Sequence, residues 1–242
     1  MSFDGKVAIV TGAGLSLGRL YAIALGARGA RVLVNDYGGS LEGDAGSISR
    51  AQSVADEIKA AGGTAIAHGG DVSKDAKAIV QAAVEAFGTV DILINNAGIT
   101  GKWSRHDDVD PIAFMRVLEI AVLGTAMVTS AVYSVMQKQK FGRIVNVSSS
   151  SIYGFGGGGD CAYSASKGAT FAMTKELGKF SEKDGIKINC IIPGAASRMG
   201  DLSESTKKVT RTYFPAEVSG FLRIPTDNSH PHPCRDLMAP VR

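Results

Sequence analysis

Six short apolar runs recur along the chain, each followed by a polar or glycine-rich break and then by a stretch whose apolar residues have helical spacing. The runs are Lys6–Thr11, Arg31–Asn35, Thr64–His68, Asp91–Asn95, Gly142–Val147 and Lys187–Ile192. Between them lie helical stretches at Leu17–Ala27, Ala51–Ala61, Asp75–Phe87, Phe114–Gln139 and Tyr163–Lys179. Strands that read as continuous apolar runs are buried on both faces, and strands that alternate with helices are joined by right-handed crossovers. The expected fold class is therefore α/β, a three-layer, doubly wound parallel sheet. Ligands in such a sheet sit beyond the carboxyl ends of the strands, which directs attention to Thr11–Gly18, Asp36, Asp71 and Val72, Asn95–Gly98, Ser148–Ser151 and Pro193–Ser197.

The first of these segments, Thr11-Gly12-Ala13-Gly14-Leu15-Ser16-Leu17-Gly18, joins a strand to a helix. Missing Cβ atoms let backbone amides approach a pyrophosphate, and the helix N-terminus faces its charge. Gly12, Ser16, Leu17 and Gly18 are the expected contacts. By itself the loop also suits a ligand-free turn. Asp36 narrows the choice, because it follows the second run 24 residues after Gly12. A carboxylate there accepts hydrogen bonds from the adenosine ribose hydroxyls and repels a 2′-phosphate, which favours NAD over NADP and makes the sheet Rossmann-type. Tyr163-Ser164-Ala165-Ser166-Lys167 opens a later helix, so a phenol and an ammonium stand one turn apart on one face. A phenol ionises at about pH 10, and a neighbouring cation lowers that value toward the range useful for acid/base work on an alcohol or carbonyl. The same pair is also common on ordinary helix surfaces.

Together with NNAG at Asn95–Gly98 and the serine cluster after GRIVNV, these motifs resemble the short-chain dehydrogenase/reductase family over about residues 5–200. Within that family the chain looks most like the hydroxyacyl-CoA dehydrogenase part of peroxisomal multifunctional enzyme type 2 and its relatives. The residues that carry this likeness are VNDYGG at Val34–Gly39, KQKFGRIV at Lys138–Val145, SIYG at Ser151–Gly154 and SRM at Ser197–Met199. The resemblance implies that Tyr163 is the acid/base, that Lys167 holds the nicotinamide ribose and lowers the Tyr163 pKa, and that a serine orients the substrate carbonyl. Counting from Gly142 and Arg143 gives Ser149; counting back from Tyr163 gives Ser150. Ser149 is preferred because a strand end fixes direction more firmly than a glycine loop. The same resemblance puts Asp71 and Val72 at adenine, Asn96 and Gly98 along the adenosine ribose, and Ala196 and Ser197 by the carboxamide.

The implied activity is NAD(H)-dependent interconversion of a secondary alcohol and a ketone, on a 3-hydroxyacyl-CoA-like substrate or, as the alternative, a steroid or other bulky alcohol. Ala121 stands where the family commonly carries an Asn behind the Lys, so a catalytically impaired NAD-binding protein is a rival expectation. In the family, the helix containing Ile120–Met136 and the one opened by Tyr163 form a subunit interface, which implies a homodimer or homotetramer.

Charge separates a body from a tail. Residues 1–206 hold 20 Lys/Arg and 20 Asp/Glu, while residues 207–242 hold six and three and carry the whole net charge of +3. A neutral body lacks the basic face of a nucleic-acid binder, so no such partner is expected. Five of the seven prolines fall in the last 28 residues, so the chain divides into a dinucleotide-binding domain at 1–212 and an atypical Pro-rich tail at 213–242 in place of the family's last helix and strand. Extended prolines between His230, His232 and Cys234 disfavour convergent ligation, so no metal is expected. Three scattered cysteines favour a reducing, cytoplasmic setting, and no secretory leader is visible. The resemblance also admits the peroxisome, without an SKL-type ending. Ile120–Met136 is uncharged but short for a membrane span of about 20 residues, and is read as a helix buried on more than one side, with no membrane partner.

Overall fold

The computed structural model describes residues 2–40, 42, 46–102, 104, 107–154 and 161–193. The expected contacts Ala196 and Ser197, and the tail from 213 onward, lie outside the described residues. Strands β1 (Val7–Thr11), β2 (Arg31–Asn35), β3 (Thr64–His68), β4 (Ile92–Asn95), β5 (Gly142–Val147) and β6 (Ile186–Ile191) form one parallel sheet in the order β3-β2-β1-β4-β5-β6. The chain winds outward from β1 to β3, then returns to the other side of β1 with β4. The switch point, where crossovers leave in opposite directions, therefore lies between β1 and β4.

The uninterrupted apolar runs follow from two buried faces. On one side Ala8, Val10, Val32, Val34, Ile92 and Ile94 pack against helices α1 (Ser16–Gly26) and α2 (Ser49–Ala60). The intervening residues Ile9, Leu33 and Leu93 face the opposite layer with Ile79, Ala83, Val128, Val132 and Met136. Those partners belong to α3 (Ala76–Phe87) and to α5 (Gly124–Lys138). Each fully buried Val, Leu or Ile contributes about 1.5–3 kcal/mol, so neither face tolerates a polar residue without a partner. The expectation of full burial holds for β1, β2 and β4 but not for the outermost strands. β3 is only partly buried, and β6 alternates buried with half-buried residues, as suits the outermost strands of the described sheet.

The helix expected at Phe114–Gln139 starts earlier and has a break. Asp110 Oδ1 accepts from the Ile112 and Ala113 amides, and Pro111 occupies the first turn, where its missing N–H costs nothing. From there α4 (Pro111–Leu118) passes through a π-helical turn at Glu119–Leu123 into α5. Burial on more than one side is not what the single chain shows. Val128, Val132 and Met136 enter the core, whereas Leu123 and Met127 stand in solvent, as do Ile112 at 82% and Met115 at 60% exposure. Pro111–Lys138 is also long and apolar enough to cross a bilayer, although its inner side is already packed on α3 and the sheet. The last described helix, α6 (Cys161–Ser181), lies over β5 and β6.

Candidate active site

The glycine loop is shaped by close approach. Gly12 has φ of +62°, in the left-handed region, and a Cβ there would lie 2.8 Å from Ala97 Cα. A Cβ on Gly18 would fall 2.1 Å from the Gly12 carbonyl oxygen, so only glycine lets α1 begin this near to the loop. Ser16, the first residue of α1, is exposed and holds a φ of +49°. No side chain caps this helix at Leu15, which leaves first-turn amides available to an anion. Leu17 turns partly inward against the α1–α2 side of the core.

Asp36 ties this loop to the end of β2. Its Oδ2 accepts from the Gly14 amide at 2.7 Å and its Oδ1 from the Gly38 amide at 2.6 Å. Asn96 does the equivalent from β4, donating through Nδ2 to the Thr11 and Gly12 carbonyls at 3.1 and 3.0 Å. The neighbouring Asn95 is committed to the core, where it donates to Thr129 Oγ1 and Asn146 Oδ1.

Asp71 is 5% exposed. Its Oδ1 accepts from the amide and hydroxyl of Ser73, and its Oδ2 from Arg116 Nη2 at 2.7 Å. Burial alone would raise the Asp71 carboxyl, but hydrogen bonds from Arg116 and Ser73 outweigh it and hold the group below the usual carboxylate range. Val72 packs against the α5 start, where a Cβ on Gly124 would meet Val72 Cγ2 at 2.5 Å. The adenine wall expected from the sequence is thus pinned to α4 and α5 at two adjacent points.

Two of the expected catalytic residues, Tyr163 and Lys167, come together beyond β5. Lys167 is 4% exposed, donates through Nζ to the Val147 carbonyl at 2.8 Å, and lies 5.5 Å from the centre of the Tyr163 ring. Burial pushes the Lys167 ammonium down to about 8, against the opposing influence of Cys190. A Cβ on Gly98 would be 3.4 Å from Lys167 Nζ and 4.0 Å from Ala121 Cβ, so NNAG ends directly beside the ammonium. Of the serines, Ser148 is buried and donates to the Lys167 carbonyl, which gives it a structural task. Ser149 is half-buried, and its Oγ accepts from the Ser151 amide at the start of a 3₁₀ turn, Ser150–Tyr153. A hydroxyl that accepts there still has a proton to donate.

Two contributors were not legible as site residues. Asn146 donates to Thr174 Oγ1 of α6 and fixes how the helix bearing Tyr163 and Lys167 lies on β5; a polar residue inside an apolar strand was its only local signal. Arg116 was equally hidden among helix-surface charges, although Glu119 three residues on, with which it pairs at 2.7 Å, marks an ordered arginine.

Residues 6–208 match the short chain dehydrogenase family. The peroxisomal hydratase-dehydrogenase-epimerase of Saccharomyces cerevisiae is 40% identical over 199 residues, covering 82% of this chain and 22% of that protein. The peroxisomal multifunctional enzyme type 2 of Drosophila melanogaster is 40% identical over 205 residues, covering 82% and 33%. This chain therefore spans about a fifth to a third of the length of these relatives. A 7α-hydroxysteroid dehydrogenase solved with NADH and 7-oxo glycochenodeoxycholic acid superposes with a TM-score of 0.73 at 30% identity, covering 86% of this chain and 76% of that one. Sheet order, glycine loop, the Tyr163 and Lys167 pair and these likenesses agree: the chain belongs to the short chain dehydrogenase family of oxidoreductases, which act on alcohol and ketone groups.

Proposed function

We propose that this chain uses NAD(H) to interconvert a secondary alcohol and a ketone, with a 3-hydroxyacyl-CoA-like thioester as substrate. The observation that carries the reading is the buried Lys167 ammonium, 5.5 Å from the Tyr163 ring and beside Gly98 at the carboxyl edge of the sheet. The residues fit the dinucleotide: the Gly12–Gly18 approach leaves a cradle that a Cβ would fill, the uncapped start of α1 suits a pyrophosphate, and Asp36 suits two ribose hydroxyls. When bound, the nicotinamide supplies or accepts the hydride. Tyr163 gives a proton to the ketone oxygen in reduction and takes it back in oxidation, while Ser149 donates a hydrogen bond that holds the same oxygen. Lys167 raises the local positive potential, which favours the phenolate form of Tyr163 in the oxidative direction. The thioester is inferred from the VNDYGG, KQKFGRIV and SIYG likeness and from the dehydrogenase named among the relatives.

A second reading, NAD binding without turnover, draws support from Ala121. This residue is buried in the π-helical turn near Lys167 and has no hydrogen-bonding side chain. A third, a steroid or other bulky alcohol as substrate, draws on the 7α-hydroxysteroid dehydrogenase. Titration with NAD, followed by assays with 3-hydroxyacyl-CoA thioesters and with hydroxysteroids, separates the three. Reduction of NAD with the thioesters is the expected result. Binding of NAD with no turnover of either class overturns the enzyme reading, and turnover of steroids alone overturns the thioester.

The exposed apolar side chains of Ile112, Met115, Leu123, Met127 and Phe180 support a homodimer or homotetramer built on α4, α5 and α6. Light scattering at micromolar concentration tests this, and a monomer would refute it. The peroxisomal names of the relatives, and Cys161 and Cys190 standing outside any disulfide among the described residues, agree with a reducing compartment, peroxisome or cytosol. Cell fractionation decides between them.

A further inference from the structure

Asp71, Arg116 and Glu119 form an ion triad at the sheet edge that neither the proton transfer nor the glycine cradle uses. If the acid ending β2 holds the adenosine ribose, the base beyond it projects toward the next loop outward, the one that follows β3 and contains Asp71. A carboxylate has about four acceptor positions. Among the described residues three are filled on Asp71: two by Ser73 and one by Arg116. The fourth is on Oδ2, the oxygen that Arg116 fixes in direction from one side. Arg116 is itself fixed, because its Nη1 is held by Glu119 Oε2 at 2.7 Å, and its side chain is only 21% exposed. The next residue, Val72, is locked against Gly124.

We propose that Arg116 is a positioning residue for base recognition: it aims the Asp71 acceptor left open among the described residues at the 6-amino group of adenine and keeps the carboxylate charged for that contact. The inference rests on the NAD reading above and deepens it. Adenine carries a donor at position 6, whereas hypoxanthine carries a carbonyl acceptor there, which would face the carboxylate lone pair and be repelled. The chain should therefore discriminate between these two bases, and the discrimination should depend on an arginine that touches neither.

The test is a fluorescence or calorimetric titration of the full chain with NAD and with nicotinamide hypoxanthine dinucleotide, using the unaltered protein, Arg116→Lys and Arg116→Met. The unaltered chain should bind NAD about tenfold more tightly than the hypoxanthine analogue, one charged hydrogen bond's worth of preference. Arg116→Met should reduce that preference below about twofold, and Arg116→Lys, which keeps one charged donor, should restore part of it. A purely structural role would lower the melting temperature and weaken both dinucleotides together, leaving the ratio unchanged; that result overturns the proposal. Equal binding of both dinucleotides by the unaltered chain overturns it while leaving the NAD reading intact, and failure to bind either overturns both. If Arg116→Met does not fold, Glu119→Gln releases Arg116 without removing it. A preference lowered at least twofold in Glu119→Gln supports the proposal, and an unchanged one refutes it.

Discussion

The two halves of the sheet edge are built differently. On the β1-β2-β3 side the phosphate loop is made of backbone: Gly12, Gly14 and Gly18 bring main chain so near its neighbours that a Cβ would collide, and Asp36 and Asn96 hold the loop through its own amides and carbonyls. On the β4-β5-β6 side it is made of buried polar side chains. Asn95, Asn146, Ser148, Lys167, Thr170 and Thr174 are all buried, and each has a hydrogen-bond partner. A backbone cradle recognises what every dinucleotide shares, its pyrophosphate, whereas a side-chain cluster sets a proton affinity. The first half should fail by losing affinity and the second by losing chemistry.

The sharpest way to break this division is Tyr163→Phe. The ring and its contact with Lys167 remain, and only the oxygen proposed to move the proton is removed. Turnover should fall by about 10³-fold, equivalent to about 4 kcal/mol of transition-state stabilisation, within the range that a positioned acid/base supplies. NAD affinity should stay within about twofold, because the cradle lies on the other half. Steady-state kinetics alongside a binding titration checks both numbers, and a parallel loss of affinity would show that the halves are not separable.

Legibility in the sequence follows the same division. The glycine spacing of the loop and the acid after β2 are local in the chain, so residue order alone places Gly12, Gly18 and Asp36. The β4-β5-β6 side depends on pairs far apart in sequence, such as Asn146 with Thr174 and Ser148 with Lys167, which no local pattern reports. Asn95 illustrates the loss: in NNAG it is indistinguishable from Asn96, yet one bonds the core and the other the loop. The π-helical turn at Glu119–Leu123 is equally invisible, because an inserted residue in a helix leaves hydropathy almost unchanged. The outward side of α4 and α5 departs from expectation for a related reason. Apolar periodicity shows that a surface needs covering and says nothing about whether the cover is the same chain.

The next effect concerns pH. Lys167 titrates at about 8 in the fold against 10.5 when unperturbed, because burial disfavours its charge. Below about pH 8 both states are protonated and the fold bears the cost of a buried ammonium. Between about 8 and 10.5 the unfolded chain binds the proton more strongly than the fold does, so raising pH releases that cost and stability rises through this window. The shift corresponds to about 3 kcal/mol. Lys167→Met removes the titrating group, so the stability difference between the unaltered chain and the variant should move by about 3 kcal/mol in favour of the unaltered chain from about pH 8 to 10.5. Urea unfolding at a series of pH values measures it. A flat difference would mean that the ammonium is solvated rather than buried.

The smallest of the three effects lies on the backbone side and tests whether charge matters there at all. The carboxylate of Asp36 already accepts from Gly14 and Gly38, so part of its role is to brace the loop, and Asp36→Asn keeps an oxygen for that purpose. What the substitution removes is the negative charge. If Asp36 discriminates through repulsion of a 2′-phosphate, NADP binding should strengthen relative to NAD by about tenfold, or about 1.4 kcal/mol. The repulsion is partly screened, so the shift should shrink as ionic strength rises from about 0.05 to 0.5 M. Competitive titration of the two dinucleotides at both salt concentrations reads the effect. A preference that does not respond to Asp36→Asn would assign Asp36 to bracing alone, and cofactor choice would then have to arise elsewhere along the β2 edge.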